Sequence, residues 1–286
     1  MLARDGAEIA RRRVATPRGD YRGSVAAIVD LVASLESATQ GSSSIGIAIP
    51  GSISPVTRRL QNGNSTWLNG QPFDRDLADA LSRPVRLAND ANCFALSEAV
   101  DGAGAGARSV LGVILGTGCG GGIVHCGHLI DGPRGIGGEW GHNPLPWAHP
   151  DEMPGPLCWC GRHGCMETWV SGPGMAADHA RVTGKTLSTE QIVASATAGD
   201  AFACGTLNRH ASRLARGLAH VVNILDPEVI VLGGGLSKLS HLYEVLPGLM
   251  APHVFADQAT VNIQPPRWGD AGGVRGAAWL WNDSGS

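Results

Sequence analysis

No run of basic residues in the 286-residue sequence exceeds Arg11-Arg12-Arg13, and 22 Lys and Arg against 25 Asp and Glu leave a formal net charge of -3. That balance gives no broad positive field to follow a polyphosphate backbone, so nucleic acid is not an expected partner. A long apolar run is missing too. Residues 110–130 lack Asp, Glu, Lys and Arg, but seven glycines and two histidines interrupt them, which reads as strand, loop, strand and not as a membrane span. Residues 1–13 carry scattered charges without the apolar stretch of a secretory signal, so a cytoplasmic, membrane-free protein is expected. The seven cysteines are an odd number, which rules out complete internal pairing.

Glycine is abundant instead, 41 of 286 residues and about twice the usual share, without a collagen-like period. Glycines of this kind serve tight turns and close backbone approaches to ligands. With 43% hydrophobic and 16% charged residues the chain is globular, and its length suits about two domains.

Residues 8–15 read as a strand. Val25, Ile28, Val29, Val32 and Leu35 then mark one face of a helix that begins near Asp20 and stops near Gln40-Gly41. Residues 44–49 read as a buried strand ending at Pro50-Gly51, 74–81 as a helix before Pro84, and 85–88 as a strand. A helix is expected over 91–107, then a strand over 110–115 running into the glycine stretch 116–122. Leu214, Leu218, Val221, Val222 and Leu225 mark a long helix. A strand over 228–232 follows, ending in Gly233-Gly234-Gly235 before a helix from Leu236, and a last helix covers 274–281. Alternating strands and helices predict an α/β protein, and the repeated strand-to-glycine units predict two related halves with a boundary near residue 107.

The strongest local signal is His142 followed by Cys158, Cys160 and Cys165. One imidazole and three thiolates suit tetrahedral zinc, and four protein ligands leave no open position, which favours a structural metal over a hydrolytic one. Glu139 and Glu167 flank these ligands and read either as fixed acceptors for a polyhydroxyl ligand or as solvated surface acids. Asn89-Asp90 stands at the carboxyl end of a strand, where ligand clefts of α/β proteins form, so Asp90 is a candidate general base or a helix cap. Gly116 to Gly122, with Thr117, offers amides to a phosphate or forms a plain hairpin. Gly233-Gly234-Gly235 leaves room for a flat nucleoside at the start of the following helix.

In this order the segments resemble the ROK family of bacterial sugar kinases, closest to its manno(fructo)kinase or fructokinase branch, over roughly residues 14–282. The resemblance rests on Ile49-Pro50-Gly51-Ser52, Asn64-Ser65-Thr66-Trp67, Leu87-Ala88-Asn89-Asp90, Gly138-Glu139-Trp140-Gly141-His142, the cysteine segment and Val231-Leu232-Gly233-Gly234-Gly235. It implies a two-domain actin-like ATPase (ribonuclease H-like) fold with a cleft and a structural zinc site. Residues 1–107 with 270–286 would form the smaller domain and 108–269 the larger. It further implies that Asp90 takes the proton of a sugar hydroxyl, that Asn64, Asn89, Glu139 and Glu167 bind sugar, and that His142 is shared between zinc and sugar. Gly116, Thr117, Gly118 and Gly120 would lie at the ATP phosphates, Gly233, Gly234 and Gly235 at the adenosine, with Mg2+ beside the nucleotide. The implied protein is a homodimer that phosphorylates a free hexose at its 6-hydroxyl. Fructose is expected first, then mannose or glucose, with an N-acetylhexosamine or glucose kinase as alternative.

The family's Asp-x-Gly-Gly-Thr phosphate loop is not found in these residues, and Asp270-Ala271-Gly272-Gly273 does not replace it. Either the functional chain begins upstream, the reading favoured by the otherwise intact motif set, or the protein binds sugar without turnover. The missing central strand should leave backbone groups of the first sheet unpaired. A repressor of the same family would carry a helix-turn-helix ahead of residue 14, and a zinc hydrolase would need an open metal position.

Overall fold

The structure is a computed structural model that describes residues 1–258 and 260–282. Helix α1 (Tyr21–Thr39) follows the one-face spacing; Asp20 caps its start by accepting from the Gly23 amide, and Gln40 ends it in the left-handed region at φ 50°. The chain continues through β1 (Ile45–Ile49), β2 (Ser52–Ile53), β3 (Leu60–Gln61), α2 (Phe73–Leu81) and β4 (Val85–Asn89). Strands β1 and β4 pair in parallel, from Ile45 opposite Val85 to Ile49 opposite Asn89, as a two-stranded sheet. Each has a single ladder partner among the described residues.

Next come α3 (Asp90–Asp101), β5 (Ser109–Leu115), β6 (Cys119–His125), β7 (His128–Leu129), α4 (Glu167–Val170), α5 (Gly172–Thr183), α6 (Thr189–Thr197) and α7 (Ala201–Leu225). The chain ends with β8 (Val229–Gly233), α8 (Ser240–Met250), β9 (Ile263–Gln264) and α9 (Gly272–Trp279). The second sheet runs β7-β6-β5-β8-β9, with β5 antiparallel to β6 and parallel to β8. Its main core, around Leu111, Val113, Leu115, Leu214, Leu218 and Leu232, lies against α7. Among the described residues no helix is long and apolar enough to cross a membrane.

Glycines let the layers approach closely. A Cβ at Gly112 would lie 2.7 Å from Ala95, at Gly276 1.6 Å from the Cys93 carbonyl oxygen, and at Gly46 1.7 Å from that of Ala277. Helix α3 is therefore pressed between the second sheet and α9, and α9 also rests on β1. Arg275 of α9 bonds the Asp101 carboxylate and the Gly6 carbonyl oxygen and lies 3.7 Å over the Trp268 ring.

Several expectations change. Residues 8–15 form no strand: apart from an isolated bridge between Leu2 and Glu8 they are extended, mostly exposed coil, because no neighbouring strand takes up their backbone groups. Helix α3 stops at Asp101 instead of 107, since Gly102, Gly104 and Gly106 follow and Gly106 takes φ +89°. Cys119 to Gly122 belong to β6, so the glycine loop shrinks to three residues. Residues 235–238 form a 3-10 turn, and the following α-helix starts at Ser240. The last helix is Gly272–Trp279 instead of 274–281.

Candidate active site

The carboxyl ends of the parallel strands supply the site. β4 runs straight into α3 at Asn89-Asp90, and the cap is Asn89, whose Oδ1 accepts from the Ala91 amide at 2.9 Å and the Asn92 amide at 3.4 Å. Asn89 Nδ2 donates to the Gly51 carbonyl oxygen at the end of β1 (3.2 Å), which joins the two strand ends. The capping role left open for Asp90 thus belongs mainly to its neighbour. Asp90 accepts a 2.8 Å bond from the Ala91 amide. Solvent touches its side chain, yet protein encloses it on most sides, as on a cleft wall; desolvation raises its carboxyl above the usual range, against the backbone bonds that lower it.

Asn64 is exposed in the loop after β3. Asn69, which sequence reasoning passed over, braces that loop by accepting from the Gly63 amide (2.9 Å) and donating to the Gly63 carbonyl oxygen (2.8 Å).

The four metal candidates converge. One ligand atom from each of His142, Cys158, Cys160 and Cys165 lies within 4.8 Å of the others. Cys158 Sγ stands 3.6 Å from His142 Nδ1, and Cys160 Sγ 3.6 Å from Cys165 Sγ. Thiolates around tetrahedral zinc with Zn–S near ~2.3 Å stand about 3.7 Å apart, so the donor set and spacing fit that ion. The curl comes from Gly161 at φ +85° and Gly164 at φ +72°. Below it, buried Glu152 accepts from Arg213 and Arg216 of α7, each at 2.8 Å, which fastens the metal loop to the second core. Nothing in the local spacing announced this pairing, since 61 residues separate Glu152 from Arg213.

Glu167, first residue of α4, is held by both oxygens: Oε2 accepts from the Cys119 amide (3.0 Å) and Oε1 from the Trp159 indole (2.7 Å). Glu139 is solvent-accessible, and desolvation raises its carboxyl. His142 pulls the other way, while the Asp90 and Glu167 carboxylates add to the rise. Strand β6 links their surroundings: the Cys119 amide holds Glu167, a Cβ at Gly120 would lie 3.2 Å from that of Ala91, next to Asp90, and one at Gly121 3.0 Å from the carbonyl oxygen of Gly138, next to Glu139.

Strand β5 turns into β6 over Gly116-Thr117-Gly118, with Leu115 opposite Cys119. The tip is already tied: the Gly172 amide donates to the Gly116 carbonyl oxygen at 2.8 Å, and the Gly116 amide to that of Gly118 at 3.0 Å. Packing explains some of the glycines. Added Cβ atoms would meet Glu167 at Gly118, Ala91 at Gly120, Phe94 at Gly233 and the Leu115 backbone at Gly234, whereas Gly116 and Gly235 meet nothing within 4 Å. Ile114 lies opposite Gly233, and Gly116 and Gly235 each follow two residues later with open space where a Cβ would stand. A cavity of about 460 Å3 opens at Gly234, lined also by Lys238, Tyr243, Pro265 and Pro266 among others. Another hollow of about 410 Å3, between α1 and α2, includes none of the candidate site residues.

Parallel strand ends that carry Asp90 in the first sheet and glycine turns in the second belong to the two-domain actin-like ATPase fold. The hexokinase of Thermus thermophilus superposes with a TM-score of 0.84 at 30% identity, over 95% of this chain and 91% of that one. A Streptomyces griseus ROK family glucokinase, crystallised with glucose and AMPPNP, gives 0.74 at 26% identity over 98% and 93%. The ROK family model matches residues 1–284, and the chain belongs to the ROK family. It is also 38% identical over 274 residues to the N-acetyl-D-glucosamine kinase of Pectobacterium atrosepticum, covering 94% of this chain and 90% of that protein. The corresponding enzyme of Yersinia enterocolitica is 37% identical over 273 residues, at 94% and 90% coverage.

Proposed function

We propose that this ATP-dependent sugar kinase phosphorylates a free N-acetylhexosamine, N-acetylglucosamine first, at the 6-hydroxyl. The reading rests on one observation: strand β6 brings Glu167, Asp90's neighbour Ala91 and Glu139's neighbour Gly138 together next to the Gly116-Thr117-Gly118 turn, where Gly116 has open space in place of a side chain. The expected fructose finds no support among the similar proteins described above, whereas the N-acetylhexosamine alternative does.

Asp90 takes the 6-hydroxyl proton as that oxygen bonds to the γ-phosphorus, and the bond from the γ-phosphorus to the bridging oxygen breaks, releasing ADP with the electron pair. The raised carboxyl of Asp90 makes it a stronger proton acceptor than an ordinary aspartate. Glu139, Glu167, Asn64 and Asn89 accept or donate bonds to the other hydroxyls and fix the attacking oxygen. Mg2+ arrives with ATP and neutralises charge across its phosphates. His142, Cys158, Cys160 and Cys165 hold zinc, which when bound locks the loop between Glu139 and Glu167. With Nδ1 of His142 toward the thiolates, Nε2 is left for the sugar.

ADP release should be compared with N-acetylglucosamine, glucose, mannose and fructose, alongside zinc content. We expect one zinc per chain and the highest kcat/KM on N-acetylglucosamine, by about tenfold or more. A preference for fructose would overturn the sugar assignment. Sugar binding without ADP release would mark a non-catalytic binder.

A further inference from the structure

Trp159 is the residue between Cys158 and Cys160, and it is 68% exposed. An exposed tryptophan on a flexible loop would say little. This one is fixed at several points. The cysteines on either side of it converge with His142 and Cys165, so the backbone is held on both flanks. Its indole N–H donates to Glu167 Oε1 at 2.7 Å. The ring stands edge-on to His142, centroids 4.9 Å apart at 85°. Its polar atom is thus satisfied and its apolar face remains bare, beside two residues proposed above to bind sugar.

A bare aromatic face fixed beside a carboxylate and an imidazole matches a ligand with one polar edge and one apolar face. The hydroxyls of a sugar suit Glu139 and Glu167, but their acceptors do not distinguish a hexose from its N-acetyl derivative. An acetamido group adds a planar amide and a methyl, which gain from a flat, water-excluding wall. Among the groups described at the site, only the Trp159 indole offers such a wall.

We infer that Trp159 is a specificity-determining residue whose indole face packs against the acetamido group of the substrate and selects N-acetylhexosamines over plain hexoses. The inference rests on the sugar-kinase reading and deepens it. It assigns Trp159 two separable contributions: the N–H orients Glu167 for any sugar, and the ring face recognises the N-acetyl group alone.

Calorimetric titration of the zinc-loaded chain with N-acetylglucosamine and with glucose tests both, and it needs no turnover. Trp159→Ala removes face and N–H together. It should weaken N-acetylglucosamine about 30-fold and glucose about 3-fold, so selectivity falls roughly tenfold, within the range set by one apolar contact in a pocket. Trp159→Phe keeps a flat face and loses only the N–H. It should weaken both sugars about equally and leave selectivity in place. Zinc content and melting temperature identify a variant whose metal loop has collapsed. In that event the decision passes to fluorescence: the change in indole emission that N-acetylglucosamine causes in the parent should be lost in Trp159→Phe. Equal loss for both sugars in Trp159→Ala, the same drop in selectivity in Trp159→Phe, or an undiminished emission change in that variant would overturn the inference. So would equal affinity of the parent for both sugars. A parent that binds neither sugar defeats the sugar reading itself, an outcome distinct from all of these.

Discussion

At the scale of single residues, Asp90 and Asn89 show how neighbours in sequence divide their tasks. Asn89 accepts from the Ala91 and Asn92 amides at the start of α3, so Asp90, which shares the Ala91 amide, is not needed as the cap. Asp90→Asn should lower kcat by ~10² or more while sugar affinity stays nearly constant, because the proton acceptor is lost and the shape is kept. Single-turnover kinetics together with sugar titration would check it, and unchanged turnover would remove Asp90 as the base. The convergence of His142 with Cys158, Cys160 and Cys165 and the place of Asp90 right after a strand were legible in the sequence because their signals are local: close Cys spacing, and an acid at a strand's carboxyl end. The hold on Trp159 was less so. Its place between two cysteines was the available cue, but its bond to Glu167 depends on how the metal loop folds back on α4.

At the scale of elements, glycine sets how near one layer lies to another. Gly276 of α9 passes the Cys93 carbonyl so closely that Gly276→Ala forces two helices apart, at a cost of about 3 kcal/mol or more. Gly248 of α8 has nothing within 4 Å, and Gly248→Ala should instead gain about 0.5–1 kcal/mol. Urea unfolding of the two variants against the parent would show opposite signs; equal effects would refute the packing argument. The strong elements, α1, β1, α2, β4, β5, α7 and β8, followed their apolar spacing. The errors fell where burial or pairing was decided far away: residues 8–15 found no partner strand, and Gly120 to Gly122 looked like loop but are strand residues, Gly120 and Gly122 thinned to fit α3 and Gly121 to fit Trp140.

For the molecule as a whole, acid should act in two stages. His210 is fully buried, its Nε2 bonded to the Val170 carbonyl oxygen at 3.0 Å, and desolvation lowers its pKa from 6.5 to about 4. The unfolded chain therefore binds this proton first. The stability tied to neutral His210 is complete above pH 6.5 and is lost as pH falls toward 4, roughly 3 kcal/mol in all. Glu152 follows: burial alone would raise its carboxyl, but Arg216, the His149 amide and Arg213 outweigh that and bring it from 4.5 to about 2. Its contribution is present above pH 4.5 and fades as pH drops through about 2. Unfolding free energies at pH 7 and pH 4.5 should differ by less in His210→Gln than in the parent. An equal pH dependence in both would discount His210.

The contact of α9 with β1 also orders events in time. Trp281, just beyond α9, donates to the Ile45 carbonyl oxygen across 236 residues of sequence. A ribosome adding about 5–20 residues per second therefore exposes the first sheet for on the order of 10 to 50 s before the helix that covers it is made. During synthesis that surface stands open to chaperones and to other nascent chains, so aggregation in the cell should respond more to translation speed than to the strength of the finished fold.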